Sequence, residues 1–325
     1  MTKKTTYRFL GLLLMPFISA FAVNAQCVFV SITGPRCASD GNLVATFSRS
    51  PFIVEWKFGN TVAQKQTASW TNYAIPVVSG TYNSAPTTNR ITGSAGVWVD
   101  NAGEIYVSDT VNQRIVAFSK AFPDGRTIAG GNGNGNGNNQ LSRPAGLCMD
   151  AFGNLFVVDG NNNRVLRFAP GSTVGFPIAG GNGNGSAANQ LSNPRDVWVD
   201  ANGFVYVADA GNHRIQKWAQ GATSGQTIAG GFQGSDSASL NSPQGVFVDQ
   251  QFNVYVADSG NHRIQKYTPN NFYGKTVAGG NGKGAYAVQL DKPVDVWVDA
   301  VGEIYVLDAG NSRVQKWTAN SLYVT

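Results

Sequence analysis

This chain has little charge and few of the residues that carry most enzyme chemistry. Of its 325 residues 13% are charged, and it holds two histidines, three cysteines and three methionines. Two histidines are too few for a three-histidine zinc centre, and three cysteines cannot staple a disulfide-dense scaffold. No Ser-His-Asp arrangement, phosphate-binding glycine loop or zinc motif is found. After residue 23 no apolar run is long enough to cross a membrane as a helix. Basic excess is missing too. The formal net charge is +5, but Lys3, Lys4 and Arg8 sit in an N-terminal segment without acids; leaving them out takes Lys+Arg from 24 to 21 against 19 Asp+Glu. Nucleic-acid binding needs clustered basic charge, so no nucleic-acid partner is expected.

Glycine is plentiful, with 39 residues, and aromatics make up 11% of the chain, a composition that suits a turn-rich all-β protein. Residues 1–25 read as a secretory signal peptide: a basic start, an apolar run from Phe9 to Val23, and small residues before a cleavage point after Ala25. The run contains Gly11 and Pro16 and is short for a stable span. The mature chain is therefore expected outside the cell or at its surface, with no stable membrane span. Cys27 and Cys37 would enter an oxidising compartment and are the candidates for a local disulfide. Cys148 is expected as a buried free thiol.

The dominant feature is a unit that recurs five times: an apolar strand ending in Asp, a turn, a second strand ending in Asp, then Asn-x-Arg. It begins at Gly96, Gly146, Asp196, Gly245 and Asp295, and its first Asp falls at Asp100, Asp150, Asp200, Asp249 and Asp299. A period near 50 residues is the range of propeller blades and solenoids. Within each unit the punctuation marks four short strands, the last being RTIAGG, FPIAGG, QTIAGG or KTVAGG. Four antiparallel strands per unit is the content of a propeller blade.

The expected fold is thus an all-β β-propeller of about five four-stranded blades over residues 73–325. The fifth unit lacks its own last strand, and Tyr73–Gly80 is expected to supply it and close the ring. Residues 26–72 lack the repeat and read as short strands of a small β module; a sixth blade would have to come from there. The stretch around Trp56, IVEWKFGNTV, resembles the central strand of an immunoglobulin-like module.

The YVADxGNHRIQK stretches at Tyr206–Lys217 and Tyr255–Lys266 resemble the NHL repeat, and the GGNGxGSAANQL linkers resemble those of secreted bacterial-type NHL proteins. The resemblance implies the propeller fold. It constrains activity weakly, because NHL propellers include scaffolds, protein binders, RNA binders and a few enzymes. The amidating lyases of this kind use several metal-binding histidines, which this chain lacks.

Two sets of polar residues stand out. Asp109 with Arg114, Asp159 with Arg164, Asp209 with Arg214, Asp258 with Arg263 and Asp308 with Arg313 share one spacing, so Asp and Arg face each other across a hairpin. Recurrence in every blade marks these as structural pairs. The second set breaks the repeat. Where other units read x-Gly before the inner strand, Arg195-Asp196 and Val294-Asp295 intervene, and Gln244 precedes Gly245. Arg195, Asp196, Gln244 and Asp295 would ring the channel mouth and are the ligand-binding candidates. His213 and His262 occupy equivalent sites without the further ligands that a zinc site needs.

These readings point to a secreted, non-enzymatic binding or scaffold module for an extracellular protein or glycan, with no metal, cofactor or catalytic set. The alternative is a metal-dependent lactonase- or lyase-like propeller that uses Asp196 and Asp295. The resemblance implies an added glutamate and asparagine at the axis of such enzymes. The only glutamates of the repeat region, Glu104 and Glu303, sit in second strands facing away from the mouth.

Overall fold

The computed structural model describes residues 91–318, apart from 120, 122 and 123, together with three strands between residues 43 and 67. Residues 1–25, Cys27, Cys37 and Tyr73–Gly80 lie outside the described residues. The chain divides into two compact units, Met1–Val77 and Val78–Thr325. In the first, Leu43–Phe47, Ile53–Phe58 and Thr61–Thr67 form one antiparallel sheet in chain order.

The second unit is a five-blade propeller. Four-stranded antiparallel sheets cover 94–130, 144–180, 194–230 and 243–279 (blades 1 to 4); blade 5, at 293–317, has three strands among the described residues. In blades 1 to 4 a six-residue inner strand is followed by five-residue second, third and outer strands, paired in sequence, and blade 5 repeats the first three.

Local chemistry fixes the hairpins. The Asp that ends each inner strand caps the following turn: Asp200 Oδ1 accepts the N–H groups of Asn202 at 2.9 Å and Phe204 at 3.0 Å. Gly203 supplies the left-handed backbone that this turn needs, with φ of +79°. Tyr206 hydroxyl then donates to Asp200 Oδ2 at 2.9 Å, fastening the second strand to the same carboxylate. The second turn is a short 3-10 segment, Ala210–Asn212, closed by His213 in the left-handed region.

Most of the core lies between blades. One buried cluster joins Tyr206, Ala208 and Ile215 of blade 3 to Val246, Val254 and Val256 of blade 4, and similar clusters fill the other three junctions. Linker residues Leu141, Leu191, Leu240 and Leu290 are fully buried and anchor the Asn/Gly-rich loops. The inner-strand aromatics form a row: Trp98 meets Trp198 at 5.6 Å between ring centroids, and Trp198 meets Phe247 at 4.5 Å. Blade 2 carries Cys148 in this slot, a buried free thiol, so the tryptophans of blades 1 and 3 touch across it.

Candidate functional site at the channel mouth

The five Asp–Arg pairs lie within hairpins. Arg Nε meets Asp Oδ2 at 2.7 Å for Asp109–Arg114, Asp209–Arg214 and Asp258–Arg263, and at 2.8 Å for Asp159–Arg164 and Asp308–Arg313. Every carboxylate is fully buried and takes further donors. Asp209 also accepts from Asn212 Nδ2 and from the backbone N–H of Ser192. Arg214 uses its terminal nitrogens on the linker carbonyls of Ser186, Ala187 and Gln190. The pair therefore joins hairpin to linker, which leaves no open position for a ligand.

The histidines are occupied similarly. His213 Nδ1 accepts the N–H of Ser242 and His262 Nδ1 that of Lys292, both at 3.0 Å. Asn163 Oδ1 does the same for Asn193 at 2.8 Å. Each is a latch from one blade to the next linker, and the two histidines need only one acceptor nitrogen for it.

The residues that break the repeat converge. Arg195, Asp196, Gln244 and Asp295 line one cavity of about 790 Å³ at the axis, together with the inner-strand glycines Gly96 and Gly146. Glycine in the preceding blade makes room for each carboxyl: a Cβ on Gly146 would collide with Asp196, and one on Gly245 would sit 2.8 Å from Asp295 Cα. Asp196 Oδ2 accepts the N–H of Val246 at 2.9 Å, across one blade boundary. Asp295 Oδ1 accepts the N–H of its own neighbour Val296 at 2.8 Å. Gln244 Nε2 donates to Ser242 Oγ at 3.1 Å. Arg195 Nε is buried without a hydrogen-bond partner.

Burial pushes the Asp196 carboxyl well above the usual carboxylate range, and the nearby charge of Asp295 pushes it further. Asp295 moves less, up to about 6, again through burial. Burial, with the like charge of Arg143, lowers Arg195 from the ordinary arginine range. The mouth thus offers a carboxyl pair that resists double ionisation, a guanidinium with an unused donor, and an amide. Among the described residues no three His, Cys, Asp or Glu side chains come together as a metal set.

The sequence signal for this cluster was loss of the repeat glycine. It did not show that one Asp196 oxygen is already engaged on the next blade.

The chain carries NHL repeats: that family matches residues 141–168, 191–218 and 240–267, from the linker leucine to the end of the third strand in blades 2 to 4. No curated protein matches the chain. Among solved structures, an auxiliary nutrient binding protein from Bacteroides thetaiotaomicron is 15% identical with a TM-score of 0.55, over 70% of this chain and 59% of that one. Its counterpart from Bacteroides ovatus is 16% identical with a TM-score of 0.54, over 71% and 60%. A virginiamycin B lyase from Staphylococcus aureus is 10% identical with a TM-score of 0.49, over 83% and 78%. This chain spans about three-fifths of the length of the two nutrient-binding proteins, and what it shares with them is the fold.

Proposed function

We propose that this NHL-repeat propeller is a secreted, non-enzymatic binding module whose ligand, an extracellular protein or glycan, sits on the channel mouth. The observation that carries the reading is convergence. Arg195, Asp196, Gln244 and Asp295 depart from the repeat in three different blades, yet all four face one cavity. A pocket with a few polar groups on a rigid frame is the usual form of a binding site. The unused Arg195 donor and the carboxyl pair supply direction-giving contacts, while the regular Asp–Arg pairs and histidine latches are engaged in holding blades. The two Bacteroides proteins with this fold are nutrient binders by name, in keeping with a binding role here.

The test is a binding measurement of the purified chain against polysaccharides and surface proteins of its own cells. Wild type is compared with Arg195→Ala and Gln244→Ala. A loss of about tenfold or more in affinity is expected for Arg195→Ala, the size of one charged hydrogen bond. Binding unchanged in both variants would remove the site from the mouth. Stoichiometric metal after gentle purification, absent from Asp196→Ala and Asp295→Ala, would overturn the non-enzymatic reading.

A further inference from the structure

Most arginines of this chain hold an acid. Each of the five hairpin arginines meets its Asp, and Arg126 meets Glu104 at 2.9 Å. Among the described residues Arg143, Arg167 and Arg195 have no carboxylate partner. Arg167 lies within the sheet of blade 2, with Phe156 and Phe176 as its register neighbours. The other two stand together at the channel mouth.

Arg143 ends the linker into blade 2, and Arg195 opens the inner strand of blade 3. The two stretches converge over Gly160. A Cβ there would sit 2.9 Å from the carbonyl oxygen of Arg143 and 3.8 Å from that of Pro194. Each arginine is aimed by its backbone. The Arg143 N–H donates to Gln113 Oε1, and the next carbonyl, of Pro144, accepts Thr110 Oγ1 at 2.8 Å. Arg195 is the extra residue of a β-bulge, since Pro194 pairs with Asp209 and Asp196 with Ala208. A bulge turns a side chain out of the regular ladder. Arg143 is exposed and Arg195 half-buried, with Arg195 Nε enclosed and lacking an acceptor. Burial disfavours the charge on Arg195, and the like charge of Arg143 adds to that. Asp196 does not cancel it: its Oδ2 holds the Val246 N–H, and burial favours its neutral form. Two guanidiniums held together against their own repulsion, with donors unused, form a site for an anion.

We propose that the ligand of the mouth is an acidic polysaccharide, one of whose anionic groups sits between Arg143 and Arg195. The inference rests on the reading of the mouth as a binding site and names what that site selects. Guanidinium forks match the paired oxygens of a carboxylate or a sulfate. Beyond the arginines the cavity supplies groups that suit a sugar. Trp98 and Trp198 line it, half-buried, and offer flat apolar faces to the C–H side of a pyranose ring. Gln244 uses its amide nitrogen on Ser242, which leaves its Oε1 to accept a hydroxyl. A strand of nucleic acid would need phosphate contacts along its length, whereas this pair serves one acid group.

The test measures affinity of the purified chain for polygalacturonate and its methyl ester, and for dextran sulfate and dextran. The two pairs separate a carboxylate from a sulfate as the source of the charge. In at least one pair the charged polymer is expected to bind about tenfold or more tightly than its uncharged partner. Arg143→Asn installs the residue that blade 3 carries at the same place, Asn193; both positions are left-handed, with φ of +54° and +48°. The variant is expected to erase the preference and to melt no lower than wild type, because it relieves a like-charge contact. Equal binding of charged and uncharged polymers, or binding of none, overturns the proposal. So does a preference that survives Arg143→Asn, or a marked fall in its melting temperature, which would show Arg143 already engaged in the free chain. Polyglutamate or polyuridylate bound as tightly, with the same dependence on Arg143, would make the ligand an acidic protein or a nucleic acid and also overturn it. The two readings fail separately. If Arg195→Ala and Gln244→Ala weaken charged and uncharged polymers alike, the mouth stays the site and only the acid group falls.

Discussion

Asp196 Oδ2 accepts the backbone N–H of Val246 at 2.9 Å, tying the inner strand of blade 3 to that of blade 4. Val246 is buried, so its N–H has no water to turn to if the carboxyl is removed. Asp196→Ala is expected to lose about 1–3 kcal/mol, the cost of an unsatisfied buried donor. Asp196→Asn keeps an acceptor oxygen in place and is expected to lose little. Denaturant unfolding of the three proteins measures this directly. Equal losses in both variants would show that the carboxylate charge, not the hydrogen bond, matters there.

A larger loss is expected inside the hairpins. The Arg214 side chain is 8% exposed and Asp209 fully buried, so Arg214→Met strands a buried carboxylate. Breaking such a pair costs about 3–5 kcal/mol. The Arg313 side chain in blade 5 is 30% exposed, and Arg313→Met is expected to cost clearly less because the arginine end of this pair is already partly in water. Comparing midpoints of denaturant unfolding for the two variants checks the order. If Arg313→Met were the more damaging, blade 5 would be shielded in solution by something that buries it.

The blades were legible in the sequence because everything that builds one is local. A carboxylate two and four residues from the amides it caps, and an Asp five residues before its Arg, recur in register and can be read by eye. Contacts between blades are not local. His213 reaches Ser242 across 29 residues, and Asp196 reaches Val246 across 50. From spacing alone His213 invites a metal reading and Asp196 a purely ligand-facing one; only the assembled ring shows the latch and the clamp. A trace was present even so. Asp196 and Asp295 each lean over a glycine of the preceding blade, Gly146 and Gly245, where a side chain would leave no room.

One position in blade 4 carries a removable strain. Gly103, Gly153, Gly203 and Gly302 take the left-handed turn in the other four blades, but blade 4 has Phe252 there, with φ of +60°. A side chain in that region costs about 1 kcal/mol relative to glycine. The Phe252 ring is half-buried, so its removal gives back part of that gain. Phe252→Gly is expected to leave stability within about 1 kcal/mol of wild type, unlike the usual loss for glycine substitutions. A melting temperature that falls instead would mean the ring contributes more by packing than the backbone loses by strain.

The carboxyl pair at the mouth sets a pH dependence of defined sign. In the unfolded chain an Asp titrates near about 3.9, whereas burial raises Asp295 to about 6 and Asp196 beyond its ordinary range. The folded state therefore holds more protons than the unfolded state between those values. The stability that the neutral carboxyls contribute is fully present below about pH 4 and is lost as pH rises through about 6. Asp295→Asn cannot ionise, and it also lifts the like charge from Asp196. It is expected to match wild type near about pH 4 and to be the more stable protein near about pH 8, with a flatter profile between. Guanidinium unfolding at the two ends of that range measures the difference. A wild type that gains stability on ionisation, relative to Asp295→Asn, would mean that something in the channel binds the charged pair, and a cation would then have to be sought at the mouth.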